Sequence, residues 1–80
     1  MTTHERNNER KMYLAFCNLV HWTRKNIATA TCDELRTKRT IAAKLCDYAH
    51  SMPGQNNRNR FRAAQAIRKQ LSAQIAVNSL

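Results

Sequence analysis

Apolar residues in this chain fall into three helical stripes separated by two short breaks. At 100° per residue, Met12, Phe16, Leu19, Val20, Thr23 and Ile27 share one face, with Tyr13 at its edge, and predict a helix over about residues 3–26. Thr2 and Glu5 give its start the T-x-x-E pattern of a capping box, in which the hydroxyl and the carboxylate each satisfy a first-turn N–H. Leu14 and Trp22 lie off the stripe on different flanks. A helix apolar on more than one side is either central in the fold or carries a second interface.

A second helix is expected over about residues 32–51. Thr31 and Glu34 form another T-x-x-E box, Asp33 adds negative charge where the helix dipole favours it, and Pro53 with Gly54 ends the helix. Its inner stripe reads Leu35, Ile41, Ala42, Leu45, Ala49 and Met52, an alanine-rich seam that lets a neighbour approach closely. Lys38 lies near this stripe and has to snorkel past it, or the early part of the helix is less buried. The third helix is expected over about residues 57–77, with Asn57 as its N-cap and "VNSL" as a frayed tail. Phe61, Ala64, Ile67, Leu71 and Ile75 give the cleanest amphipathic spacing in the chain, and Arg58, Arg62, Gln65 and Lys69 occupy the opposite face. With short connections on both sides, the fold class is all-α, a compact three-helix domain spanning residues 1–80.

Composition agrees with this picture and adds charge to it. One glycine and one proline in 80 residues disfavour a many-stranded fold. A chain this short buries only about 60% of its unfolded surface, so a second copy or another partner would help, and a homodimer seam on the first helix is one expectation. No apolar run reaches the ~20 residues of a membrane span, and the N-terminal apolar segment is broken by Asn18 and His21, so neither a membrane anchor nor a signal peptide is expected. Cys17, Cys32 and Cys46 form no disulfide-scaffold spacing, which suits free thiols in a reducing cytoplasm. Fourteen Lys and Arg oppose five Asp and Glu, a net charge of +9. The excess is uneven. Residues 53–80 carry five positive charges and no acid, whereas residues 29–52 carry four positive and three negative. A field of this sign attracts polyanions, nucleic acid foremost among them.

Three groups of residues could carry chemistry. In the first, "TIAAKLCDY" has the Ile-Ala-x-x-Leu cadence of the first helix of a helix-turn-helix, and the next helix opens on Asn57, Arg58, Asn59 and Arg60. In that arrangement the N-terminal part of the second helix enters the major groove, where arginine pairs with guanine and asparagine with adenine. The turn is misplaced, however, since the apolar stripe continues through "CDYAHSM". Phosphate contact is therefore expected ahead of base readout. Arg58 and Arg62 share the outward face while Arg60 points to another side, so the three arginines do not make one blade.

In the second group, Cys17/His21 and Cys46/His50 are two Cys-x-x-x-His steps, each able to present two ligands from one helical face. Together they could complete a Cys2His2 zinc tetrahedron. The competing reading, and the expectation adopted, makes the cysteines small semi-buried hydrophobes and the histidines surface residues, with no metal and no cofactor. Catalysis has little support, because the chain has no glycine-rich phosphate loop and three of its five acids sit at helix caps.

The third group is surplus apolar surface: Tyr13, Leu14, Trp22, Tyr48, Val77 and Leu80. Aromatic residues and arginine are enriched where proteins bind one another most tightly. Two functions follow as expectations. The first is a small, basic, non-enzymatic nucleic-acid-binding regulator. It would act through Asn57, Arg58, Asn59, Arg60, Arg62, Arg68 and Lys69, with Arg24 and Lys25 or Arg36 and Arg39 as an auxiliary patch. The alternative is a protein-binding inhibitor or adaptor of the mobile-element type. It would dock an acidic or nucleic-acid-binding surface of a larger machine through Tyr13, Leu14, Trp22 and Tyr48.

Overall fold

A computed structural model describes residues 3–52 and 54–80, the side chains of His4 and Glu5 excepted. The capping box expected at Thr2 and Glu5 lies outside the described residues. Three helices follow in order: α1 (Thr3–Asn26), α2 (Cys32–Ser51) and α3 (Gln55–Asn78). No strand occurs among the described residues.

The start of α2 forms as its sequence requires. The Glu34 N–H donates to Thr31 Oγ1 at 3.2 Å, and the Thr31 N–H donates to Glu34 Oε1 at 3.1 Å. These bonds from Thr31, backbone first and hydroxyl second, hold the Glu34 carboxyl below the usual carboxylate range. Because the folded-state value is lowered, the contribution is present above the unfolded value and is lost as pH falls through the folded one. Thr31→Ala removes the cap, and we expect a loss of about 1 kcal/mol in urea unfolding at neutral pH. The difference from the parent should narrow as the pH is lowered below the carboxylate range.

At its other end α2 stops where Met52 turns extended, with φ −103° and ψ 135°, as residues preceding proline tend to. The chain then re-enters a helix at Gln55, with Gly54 as N-cap at φ +112°, a backbone state that side-chain-bearing residues rarely adopt. Here the structure corrects the sequence reading. Asn57 is not the cap but a buried residue in the first turn, accepting a hydrogen bond from Arg60 at 3.3 Å. The C-terminal "VNSL" is not a frayed tail either. The helix runs to Asn78, whose Nδ2 donates to the Ala30 carbonyl at 3.4 Å, and Ser79 closes the end by donating to Ile75 O at 2.8 Å.

Packing is uneven among the three helices. α2 and α3 pack along their lengths as an antiparallel hairpin, whereas α1 touches both more sparingly. Leu35, Ala42, Leu45 and Cys46 of α2 share one buried cluster with Ala64, Ile67, Leu71 and Ile75 of α3, and Leu35 and Leu71 are fully buried. Ala42 and Ala64 are the small residues of this cluster, at 0% and 1% exposure. Cys46 is fully part of this core, more than the semi-buried position expected for it, and burial pushes its thiol up from the usual range. Among the described residues of α1, Leu19 and Thr23 are the buried ones; Met12, Phe16, Val20, Trp22 and Ile27 pack against the core with part of their surface open.

The bundle measures 47 × 17 × 16 Å. A 24-residue helix is about 36 Å long, so the helices must lie near the long axis. The α2–α3 pair is thus an aligned hairpin, not the 90–120° crossing of a helix-turn-helix, and α2 continues unbroken to Ser51.

Thr23 is an anomaly in this core. Its Oγ1 is buried without a hydrogen-bond partner among the described residues. A buried hydroxyl left unpaired costs about 1–3 kcal/mol, and valine has nearly the same shape without the polar atom. Thr23→Val is therefore expected to stabilise the fold by about 1 kcal/mol, read as a higher midpoint in urea with an unchanged m-value.

Candidate nucleic-acid interface

The outer face of α3 is built by helical spacing. With Phe61, Ala64, Ile67, Leu71 and Ile75 turned inward, Arg58, Arg62, Gln65 and Lys69 are left exposed in one row. From Arg58 to Lys69 the row rises over eleven residue steps, about 16 Å at 1.5 Å per residue. Arg68 is also exposed but sits toward α2, close enough to Cys46 for its charge to favour the thiolate against the larger effect of burial. None of Arg58, Arg62, Arg68 and Lys69 enters an ion pair among the described residues; the two ion pairs there are Arg36–Asp33 and Arg60–Glu9. The first turn of α3 holds no acid, and Gly54 provides no side-chain cap. Cations at a helix start oppose the dipole, so this end of α3 gains from any anion placed against it.

Arg60 belongs to a different set of contacts. Its guanidinium lies 5.3 Å from the Tyr13 ring centroid, 3.9 Å from Glu9 Oε1 and 3.3 Å from Asn57 Oδ1. It is a clamp between α1 and α3, with its side chain only 29% exposed. The sequence set Arg60 apart from Arg58 and Arg62 by angle, and the structure shows what it does there. Of the residues expected to meet a ligand, Asn57 is buried and Arg60 is turned toward α1. Asn59 stays exposed beside Gln55, whose Nε2 donates to Asn59 Oδ1 at 3.2 Å.

Two open grooves flank the arginine row. The first, of about 410 Å³, lies at the α2–α3 turn between Ala49, His50, Met52, Gly54, Arg58, Phe61 and Arg62. Within it the His50 and Phe61 rings are 5.4 Å apart at an angle of 42°. The second, of about 400 Å³, is lined by Gln65, Arg68, Lys69 and Ser72. The sequence reading treats His50 as a zinc ligand or, preferentially, as a plain surface residue, and does not join it to this groove. Its position four residues before Gly54, at the end of α2, was the available clue.

The zinc arrangement does not form. Among the described residues no three His, Cys, Asp or Glu side chains gather as a metal site. Cys46 is buried while Cys17, His21 and His50 are exposed, so the four never converge. Cys17 instead interacts with Tyr13 one turn away; hydrogen bonding to the thiol and its charge push the phenol above its usual range, with Arg60 pulling weakly the other way.

The auxiliary basic patches are less available than the α3 row. Arg24 and Lys25 are exposed in the last turn of α1, where the helix dipole already favours them. Arg36 pairs with Asp33 at 3.5 Å, and Arg39 is half-buried.

Of the expected apolar surface, Tyr13, Leu14, Val77 and Leu80 are exposed, whereas Trp22 and Tyr48 are half-buried. Tyr13 and Leu14 are about half exposed, at 49% and 50%. Trp22 is not: it packs against the core with Lys38 Nζ 5.1 Å from its ring centroid, which is how Lys38 snorkels. Tyr48 is half-buried and lines a narrow cleft with Met12, Tyr13, Phe16, Leu45 and Arg60. No helix among the described residues is long and apolar enough to cross a membrane. No protein-family model, curated protein or solved structure matches the chain.

Proposed function

We propose that this chain is a small cytoplasmic, non-enzymatic regulator that binds nucleic acid through the outer face of α3. The observation that carries this reading is the row of exposed cations Arg58, Arg62 and Lys69, with Arg68 beside it, none of which is neutralised by an acid among the described residues. Spacing along the row suits successive phosphates, and the uncapped helix start adds partial positive charge at the same end. Phosphates dominate the recognition; base readout by Asn59 is secondary.

The test is a salt titration of binding to single-stranded and duplex DNA and RNA. The triple variant Arg58→Ala/Arg62→Ala/Lys69→Ala should bind more weakly and flatten the plot of log K against log salt. Absence of binding by the parent protein at low salt would remove the proposal.

A second reading is favoured by one observation, that two consecutive large apolar residues of α1, Tyr13 and Leu14, are each about half exposed. It makes the protein an inhibitor or adaptor docking on a larger protein. A partner retained after nuclease treatment and lost on Tyr13→Ala/Leu14→Ala would support it, whereas a partner released by nuclease would return the argument to α3.

A further inference from the structure

We infer that the groove at the α2–α3 turn is a single-strand site, holding an unpaired base against His50 and Phe61 while Arg58 and Arg62 hold the flanking phosphates. The inference rests on the nucleic-acid reading above and goes further by naming the form of the ligand and the side chains that recognise its bases.

The turn itself creates the site. Gly54 swings the chain from extended Met52 into α3, and this brings His50, in the last turn of α2, beside Phe61, in the second turn of α3. Phe61 is half-buried and packed against the core, while His50 is exposed with its ring centroid 5.4 Å from that of Phe61 and tilted by 42°. The pair is thus an open aromatic ledge backed by a fixed ring. Ala49 and Met52 give the groove further apolar surface, and Arg58 and Arg62 stand at its polar side. No Cβ-sized obstacle meets Gly54, which leaves that rim open. A groove of about 410 Å³ is within the range that takes a small flat ligand.

Cations beside an aromatic ledge suit the unpaired base and its phosphates, because stacking needs the base's face and a duplex hides that face within its own stack. The second groove, lined by Gln65, Arg68, Lys69 and Ser72, has no aromatic ring. It continues the track for phosphate alone, about 10 Å along the helix from Arg62 to Lys69. An acidic protein would use the same arginines but would have no specific use for the ledge.

Three probes of equal length distinguish these cases: an oligothymidylate of about twelve nucleotides, within the usual range for single-strand binders, an abasic strand with the same phosphates, and a duplex. For the parent protein at moderate salt, the oligothymidylate should bind roughly tenfold more tightly than the abasic strand. His50→Ala and Phe61→Leu should each erase most of that difference while leaving the salt slope unchanged. His50 is on the surface, so its variant tests the ledge even if Phe61→Leu perturbs folding; helicity by circular dichroism reports which has happened. Equal binding of the oligothymidylate and the abasic strand would overturn the ledge and leave the phosphate reading standing. Tighter binding of the duplex, or displacement by polyglutamate at equal charge concentration, would overturn single-strand recognition. Failure of all three probes at low salt would remove the nucleic-acid reading with it.

Discussion

Truncating Leu71 to alanine is expected to cost about 3 kcal/mol, the largest loss from any single substitution considered in this chain. Leu71 is 0% exposed in the core that α2 and α3 share, as is Leu35. Removing its isobutyl group forfeits the transfer energy and leaves a void. In a closely packed interior the neighbouring side chains relax only partly into such a void. An 80-residue domain has a net stability of about 4–12 kcal/mol, so this one change removes a large part of it. Thermal unfolding should show a midpoint lower by about 10–20 °C. Leu14→Ala is the control: that residue is half exposed, and its truncation should shift the midpoint by little. A Leu71→Ala protein as stable as the parent would mean that the α2–α3 seam is not the core.

The contrast between Leu71 and Leu14 was legible in the sequence because helical periodicity depends only on angle. Leu71 recurs with Phe61, Ala64, Ile67 and Ile75 on one face, and Leu14 falls off the α1 stripe. The three helices and the Thr31–Glu34 box were readable for a similar reason, since both depend on contacts between residues a few positions apart. What escaped was set by tertiary neighbours. Trp22 lies off its stripe by angle, yet it packs on the core and is covered by Lys38, sixteen positions later. Asn57 has an N-cap's chemistry, but Gly54 at positive φ starts the helix earlier and carries Asn57 into the interior. The zinc reading joined pairs on two helices by spacing alone. Spacing within a helix says nothing about the relative rotation of two helices, and in this fold Cys46 turns inward.

The charge map was only half legible for the same reason. Composition shows that residues 53–80 hold five cations and no acid, but it does not separate those that face outward from those that hold the fold together. Arg60 is spent on Tyr13, Glu9 and Asn57, and the other four cations remain free of ion pairs among the described residues. This division makes Arg60 the internal control for the proposed function. It is two residues from both Arg58 and Arg62 but belongs to the α1–α3 contact.

The expected binding losses follow from counterion release. For a single strand, log K falls with log salt by about 0.7 for each phosphate neutralised, so removing Arg58, Arg62 and Lys69 together should lower the slope by about 2. If the lost affinity is this electrostatic component alone, parent and variant converge near 1 M salt. The variant should then bind about 30-fold more weakly at 200 mM and about 500-fold more weakly at 50 mM. Arg60→Gln should leave the slope within a few tenths of the parent. Its effect should appear instead in stability, at about 0.5–1 kcal/mol, from the lost cation–π contact with Tyr13. The informative quantity is the pair of results. A slope that falls equally for Arg60→Gln and for Arg62→Ala would show that the cations act only through their summed charge. A slope that falls for Arg62→Ala alone, with stability falling for Arg60→Gln alone, assigns the α3 row to the ligand and the clamp to the fold.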